Sequence, residues 1–256
     1  MYIDSHCHLT DKRYTSVKDV VDTCRQNGTG ILVDVGWNRE NSFLARDNAQ
    51  SFDGVYFAAG IHPSEANVVA RDDVSAIETL LSHPKCIGLG EIGLDYHYDD
   101  CDRSRQIRLF EAQLDLLEKH DLPVIIHSRD ASNDLYQVLK SNANLLKNGF
   151  LMHCYSESLE QAKRYLDLGG YFAFGGVITF KNSKKDDIVR AIPLDRLMAE
   201  TDAPYMTPVP FRGQLNTPDK VMYVYDHLAR ILSVEGDLLQ DVIEKNFRTF
   251  FKKVGL

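Results

Sequence analysis

Along the chain, short apolar runs rich in β-branched and aromatic residues alternate with segments of helical period. The runs cover residues 2–7, 30–35, 55–59, 87–92, 124–127, 150–153, 171–174 and 197–200, and each predicts a strand. Between them, apolar positions step by three and four. Ile107, Phe110, Leu114 and Leu117 follow the fourth run in this way, behind an Asp102 cap. Ser158 with Gln161 reads as a capping box, Thr217-Pro218 as a cap before a first-turn proline, and Gly169-Gly170 as a helix stop. A last helix is predicted over about 236–254.

Strands that each precede a helix belong to a parallel sheet covered by helices, the α/β class. Eight such units in 256 residues without a compositional break favour one domain spanning 1–256. Closure into a (β/α)8 TIM barrel fits this length better than an open, doubly wound sheet.

A barrel of this kind carries its chemistry at the C-terminal ends of the strands. The sequence places His6, His8, His62, Glu91, His127, His153 and Asp202 there, whereas His83, His97, His120 and His227 fall on helices and loops. His6 and His8 lie two apart on one strand and leave the same face. Cys7 is therefore expected to face the helices, and Cys154, beside His153, likewise. Four imidazoles (His6, His8, His127, His153) with Glu91 and Asp202 exceed what one tetrahedral ion takes. Two divalent ions sharing a carboxylate is the economical arrangement, with Glu91 as the natural bridge. Nitrogen and oxygen ligands without thiolate suit Mg²⁺, Mn²⁺ or Zn²⁺ and do not choose among them. Such a pair activates water and neutralises charge around a reacting phosphorus, so hydrolysis of a phosphodiester gains most from it. Asp202 is the candidate to orient or deprotonate the water.

Composition narrows the class further. Lys and Arg total 29 against 37 Asp and Glu, a net charge of −8, which excludes a wholly basic nucleic-acid coat but leaves local positive charge open. Two divalent ions would outweigh the Glu91 and Asp202 charges and make the centre itself positive. There is no signal-peptide pattern and no apolar run long enough for a membrane span, and five scattered cysteines form no disulfide framework. A cytoplasmic protein (or a nuclear one in a eukaryote) with no membrane partner is expected. Gly88, Gly90 and Gly93 match a dinucleotide-binding spacing, but here the glycines are the strand itself rather than the turn into a helix, so that reading is set aside. Loops after the strands carry Arg39, Arg129, Lys181, Lys184, Lys185 and Arg212 among aromatics that include Trp37, Tyr98, Tyr155 and Tyr205. Cations interleaved with stacking rings suit a groove for single-stranded nucleic acid.

Seven motifs can now be taken together: Ile3-Asp-Ser-His-Cys-His-Leu9, Gly60-Ile-His-Pro63, Gly90-Glu-Ile-Gly-Leu-Asp-Tyr-His97, Ile126-His-Ser-Arg-Asp-Ala131, His153-Cys-Tyr-Ser156, Glu200-Thr-Asp-Ala-Pro-Tyr205 and Arg212-Gly-Gln-Leu-Asn-Thr-Pro218. In this order they closely resemble the TatD family of metal-dependent deoxyribonucleases, TIM barrels within the amidohydrolase-like group. The resemblance implies a first metal on His6, His8, Glu91 and Asp202, and a second on Glu91, His127 and His153. It implies His62 as a substrate-side catalytic histidine, with Arg129 and Arg212 approaching the phosphate and Tyr155 beside the substrate. It further implies 3′–5′ exonuclease activity on DNA, preferably single-stranded; the oligomeric state is left open, with a monomer favoured. A zinc-dependent amidohydrolase acting on an amide, lactone or cyclic amide is the alternative for the same ligand set. Two positions depart from the family pattern: Glu157 stands where the family usually has Gly, and Ser64 where it often has His. Both bear on substrate preference rather than on a metal position.

Overall fold

A computed structural model describes residues 1–98 and 102–254, and Cys101 lies outside them. Its strands are β1 (Tyr2–Cys7), β2 (Thr29–Val35), β3 (Val55–Ala59), β4 (Cys86–Asp95), β5 (Val124–Arg129), β6 (Phe150–Met152), β7 (Tyr171–Phe174) and β8 (Leu197–Ala199). They lie in one sheet in chain order, each parallel to the next. The helices are α1 (Val17–Gln26), α2 (Arg39–Ser51), α3 (Asp73–Leu81), α4 (Arg103–Leu114), α5 (Ser132–Ser141), α6 (Leu159–Asp167), α7 (Asp186–Ala191), α8 (Val221–Leu232) and α9 (Gly236–Phe250). The expected (β/α)8 barrel is thus the fold. No helix among the described residues is long and apolar enough to cross a membrane.

The barrel closes through the turn after β8 rather than through β8 itself. Cys7 bridges Ala203, the His8 N–H donates to the Ala203 carbonyl at 2.7 Å, and the Asp202 N–H donates to the His6 carbonyl at 2.9 Å. Buried Asp4 ties the same seam, accepting from the Thr201 N–H at 2.9 Å and its hydroxyl at 2.5 Å.

Strand alternation sorts the core into two layers. Ile3, Ile31, Val33, Val35, Ala58, Ile87, Ile125, Leu151, Ala173 and Met198 form one cluster, which fills the barrel with mostly branched side chains. Leu32, Phe57, Ile126, Met152 and Phe172, offset by one residue, pack in the other cluster with the helices. Phe247, Phe250 and Phe251 belong to the interior cluster. Phe250 stands near Gly149 and Phe251 near Gly88, glycines at the starts of β6 and β4, so α9 lays an aromatic floor under the barrel. The mouth is left for polar residues.

Local signals held in part. Asp102 caps α4 by accepting the Arg105 N–H, and Ser158 caps α6 by accepting the Gln161 N–H. The α4 period stops at Leu114, and Leu117 falls in a 3-10 turn over Asp115–Glu118. The Ser158 box is one-sided, because the Gln161 amide donates to the Ser132 carbonyl instead of reaching back. Pro218–Lys220 makes a 3-10 turn that leads into α8, without a side-chain cap from Thr217.

Candidate metal centre

The interior alternation continues upward into polar residues. Ile125 is followed two residues on by His127, and Leu151 by His153, so both imidazoles stand over the apolar layer and face the barrel axis. Glu91 reaches the same place by a different route. Gly90 and Gly93 take φ +148° and +145°; a Cβ at Gly90 would stand 2.5 Å from the Ile125 carbonyl and one at Gly93 2.1 Å from the His127 carbonyl. Only glycine lets β4 lie this close to β5. The glycine spacing is therefore a strand feature, as the sequence suggests.

At the centre, the two oxygens of Glu91 serve different partners. Oε2 lies 3.5 Å from His6 Nε2 and 3.9 Å from His8 Nε2. Oε1 lies 2.6 Å from His127 Nδ1, 3.3 Å from His153 Nε2 and 3.8 Å from His62 Nε2. Asp202, with left-handed φ of 53°, turns Oδ1 to 3.4 Å from His8 Nε2 and 3.9 Å from His6 Nε2. All six expected ligands thus converge. Their ligand atoms group within 4.8 Å as His6, His8 and Glu91; as Glu91, His127 and His153; and as His6, His153 and Asp202.

Burial in this nest sets the charges. It pushes the Glu91 carboxyl up, but the surrounding imidazoles prevail and hold it well below the usual carboxylate range. Asp202 is likewise buried, yet the His8 contact and the charge of His153 hold its carboxyl down. Burial alone would lower His8 and His153. Asp202 and Glu91 instead raise His8 to about 9, and Glu200 with Glu91 raises His153 to about 10. His62, held by burial and by neighbouring His127, falls to about 3. The donor set fits divalent cations: it is rich in nitrogen and oxygen, mostly buried, and has carboxylates already ionised.

Behind the centre stand residues whose roles the sequence did not reveal. Asp95 Oδ2 lies 3.2 Å from His127 Nε2, Glu200 Oε1 lies 3.0 Å from His153 Nδ1, and the Val35 carbonyl lies 2.7 Å from His8 Nδ1. Such outer contacts orient a ligating imidazole. His6 Nδ1 and His153 Nδ1 are both buried without an aligned hydrogen bond, so Glu200 acts on His153 as a charge 3.0 Å away. Both acids sit inside the sequence motifs, but only the folded barrel shows what they face.

Two glutamines of α4, seven residues apart, clamp the backbone beside the site. The Gln106 amide accepts from the Asp95 N–H at 2.8 Å and donates to the Asp95 carbonyl at 2.7 Å. The Gln113 amide does the same for Ile61, at 2.7 and 3.0 Å. Gln113→Leu leaves the Ile61 N–H and carbonyl buried without partners, an expected loss of about 2–4 kcal/mol. Chemical denaturation checks this, with exposed Glu111→Ala as a control that stays within about 0.5 kcal/mol of the unchanged chain.

A cavity of about 690 Å³ opens above the centre, lined among others by His8, Trp37, His62, Glu91, Arg129, Asp202 and Tyr205. Arg129 stands on its rim, its guanidinium 5.6 Å from the Tyr98 ring centre. Arg212 is exposed and outside this lining, with its guanidinium 3.8 Å over the Phe180 ring. Tyr155 corrects the sequence expectation: it is 4% exposed, packed edge-on against Phe172, with its hydroxyl donating to the Ser158 carbonyl. A Tyr after a strand end has no sequence signal for which way it turns, and this one turns into the core.

Cys154 also departs from expectation. Its φ of 45° breaks the alternation, and it lines the cavity instead of facing the helices. Burial raises its thiol well above the ordinary value, which disfavours the thiolate a metal needs. Cys7 faces away as expected, its thiol against the Val33 carbonyl. Of the loop cations, Arg39 pairs with Asp73 at 3.5 Å, and Lys185 donates to the Ser156 carbonyl. Glu157 accepts from the Ser128 hydroxyl and lines a smaller adjoining pocket of about 380 Å³. Ser64 lines the main cavity beside His62.

Residues 3–252 match the profile of a family described as TatD related DNase. YabD of Bacillus subtilis, an uncharacterized metal-dependent hydrolase, is 35% identical over 254 residues, covering 98% of this chain and 99% of its own. The crystal structure of YjjV, a TatD homolog from Escherichia coli, superposes with a TM-score of 0.92 at 32% identity, covering 98% of both chains. A TatD family hydrolase from Entamoeba histolytica shares the fold, with a TM-score of 0.86 at 19% identity over 99% of this chain and 98% of that one.

Proposed function

Because the chain belongs to the TatD related DNase family and is a metal-dependent hydrolase of that family, we propose that it is a 3′–5′ exodeoxyribonuclease that holds two divalent ions and prefers single-stranded DNA. The observation that carries this reading is the division of Glu91: one carboxylate oxygen faces His6 and His8, the other faces His127 and His153. A carboxylate placed so could serve two ions at once, and Asp202 would join His6 and His8 in holding the first.

Held by His6, His8, Glu91, His127, His153 and Asp202, divalent ions would supply acidity to a water near neutral pH and positive charge to the phosphoryl oxygens. The chain supplies the rest. Asp202 borders the cavity and is held ionised by its neighbours, so it can orient a water and accept its proton. His62 lines the same space beside His127 and can contact a phosphate oxygen. Arg129 on the rim is placed to meet the next phosphate. Exposed Arg212 is left to a strand that extends beyond the cavity, and Tyr155 takes no part.

The test is digestion of end-labelled single-stranded and duplex DNA in Mg²⁺, Mn²⁺ or Zn²⁺, with chelator controls. Metal-dependent release of mononucleotides from the 3′ end of single strands is expected. Absence of release in every metal, beside an active control nuclease, defeats the nuclease reading. Turnover of a neutral amide or lactone that survives Arg129→Ala would place the protein with the amidohydrolases instead.

A further inference from the structure

His62 presents a single nitrogen to the cavity. Its Nδ1 accepts the Ser64 backbone N–H at 3.1 Å, at the start of the 3-10 turn Pro63–Asn67, and Ser64 Oγ stands 2.8 Å from the same nitrogen. A backbone amide can only donate, so Nδ1 must offer its lone pair. A ring whose Nδ1 accepts is neutral and carries its proton on Nε2. The residue is also fixed from behind, because its own N–H donates to the Trp37 carbonyl at 2.8 Å while Gln113 holds both backbone groups of Ile61. Turning the ring over would break the turn's cap and point a carbon at the amide. Meanwhile Nε2 points inward, 3.8 Å from Glu91 Oε1, and the ring stands edge-on to His127 with centres 4.3 Å apart.

We propose that His62 is a neutral N–H donor of fixed tautomer, aimed at a substrate oxygen above Glu91, and that it is not a metal ligand. The substrate half of this rests on the phosphodiesterase reading; the tautomer half rests on the hydrogen bonds alone.

Two consequences follow from the placement of that proton. His62, Asp95 and His127 bring ligand atoms within 4.8 Å of one another, a grouping that resembles a further cation seat. With hydrogen on its Nε2, His62 has no lone pair to give there, so the grouping is closed to an ion and Asp95 is left to orient His127. The second consequence concerns Ser64. The lock is the backbone N–H of residue 64, so the departure from the family pattern at this position leaves the tautomer unchanged. A neutral donor also suits an anionic oxygen without adding a charge that would repel cations held below it.

The experiment is long-range proton–nitrogen correlation NMR on the ¹⁵N-labelled full chain, ion-free and then loaded with Zn²⁺. His62→Gln assigns the His62 signals by their loss. A pyrrole-like Nε2 and a pyridine-like Nδ1 are expected, unmoved by Zn²⁺ while His6, His8, His127 and His153 shift. Ser64→Ala should keep that pattern. Calorimetry should find no third equivalent of bound ion. In turnover, His62→Ala should lose about 10²–10³-fold in kcat, the usual cost of one donor to a developing oxyanion, while His62→Gln, which can still donate, recovers part of it. A pyridine-like Nε2, an Nε2 that moves on loading, or a third equivalent of ion overturns the proposal. A chain inactive on all DNA probes overturns the phosphodiesterase reading and leaves the spectrum to decide the tautomer.

Discussion

On the proposed two-ion nuclease reading, Glu91→Gln is expected to empty both seats and lower kcat/KM on DNA by about 10³-fold or more, since a metal pair accounts for several kcal/mol of barrier and each 1.36 kcal/mol is tenfold. The carboxamide keeps the shape of Glu91 but loses its charge and turns one oxygen into a donor. That donor faces either the His6–His8 side or the His127–His153 side, because each side is served by its own oxygen. No rotamer satisfies both. Elemental analysis of the purified variant should find well under one ion per chain. His153→Ala makes the contrast, since of the two Glu91 oxygens it faces Oε1, and it should weaken chiefly the second ion. A Glu91→Gln protein that keeps one ion at unchanged affinity rules out the bridge.

The second large effect is on pH. In the ion-free chain, His8 sits at about 9 and His153 at about 10, so both are protonated near neutrality. A metal binds only the neutral imidazole, so loading at pH 7 should release at least about two protons per chain, since Asp95 and Glu91 raise the ligating His127 imidazole as well. The sign follows directly. Raising the pH removes the competing protons and tightens binding, and lowering it weakens binding. With at least two protons released, the combined affinity should climb at least about a hundredfold per pH unit just above pH 7, then flatten as each imidazole loses its proton unaided. Glu91 and Asp202 are ionised throughout this range and add nothing to the slope. Calorimetry in buffers of different ionisation enthalpy counts the protons. A count near zero at pH 7 would show that the carboxylates do not hold these imidazoles charged.

How legible all this was from the sequence depends on the length scale of each signal. Strand and helix periods are local, and the eight apolar runs found the eight strands to within a few residues. The ligands were legible because a strand end in a barrel is a place in space as well as in sequence. Glu200 and Asp95 lie within motifs, yet what each faces lies on another strand, so their work could not be read. Gln106 and Gln113 looked like ordinary polar positions of a helix, because a side-chain amide that pairs with a distant backbone leaves no periodic trace. Tyr155 and Cys154 failed for a shared reason: both follow His153, where the backbone turns left-handed and strict alternation ends.

The aromatic floor bears on how the molecule comes apart. Ile3 belongs to the first strand and Phe251 follows the last helix, and one apolar cluster holds both. Neither end of the chain can peel away alone, because each covers part of the surface that the other needs. Loss of the final turn of α9, by a nick or by fraying, opens the lower side of the barrel to water beneath all eight strands. A protease acting on this protein should therefore give few lasting fragments, with the metal seats lost in the same event that exposes the floor.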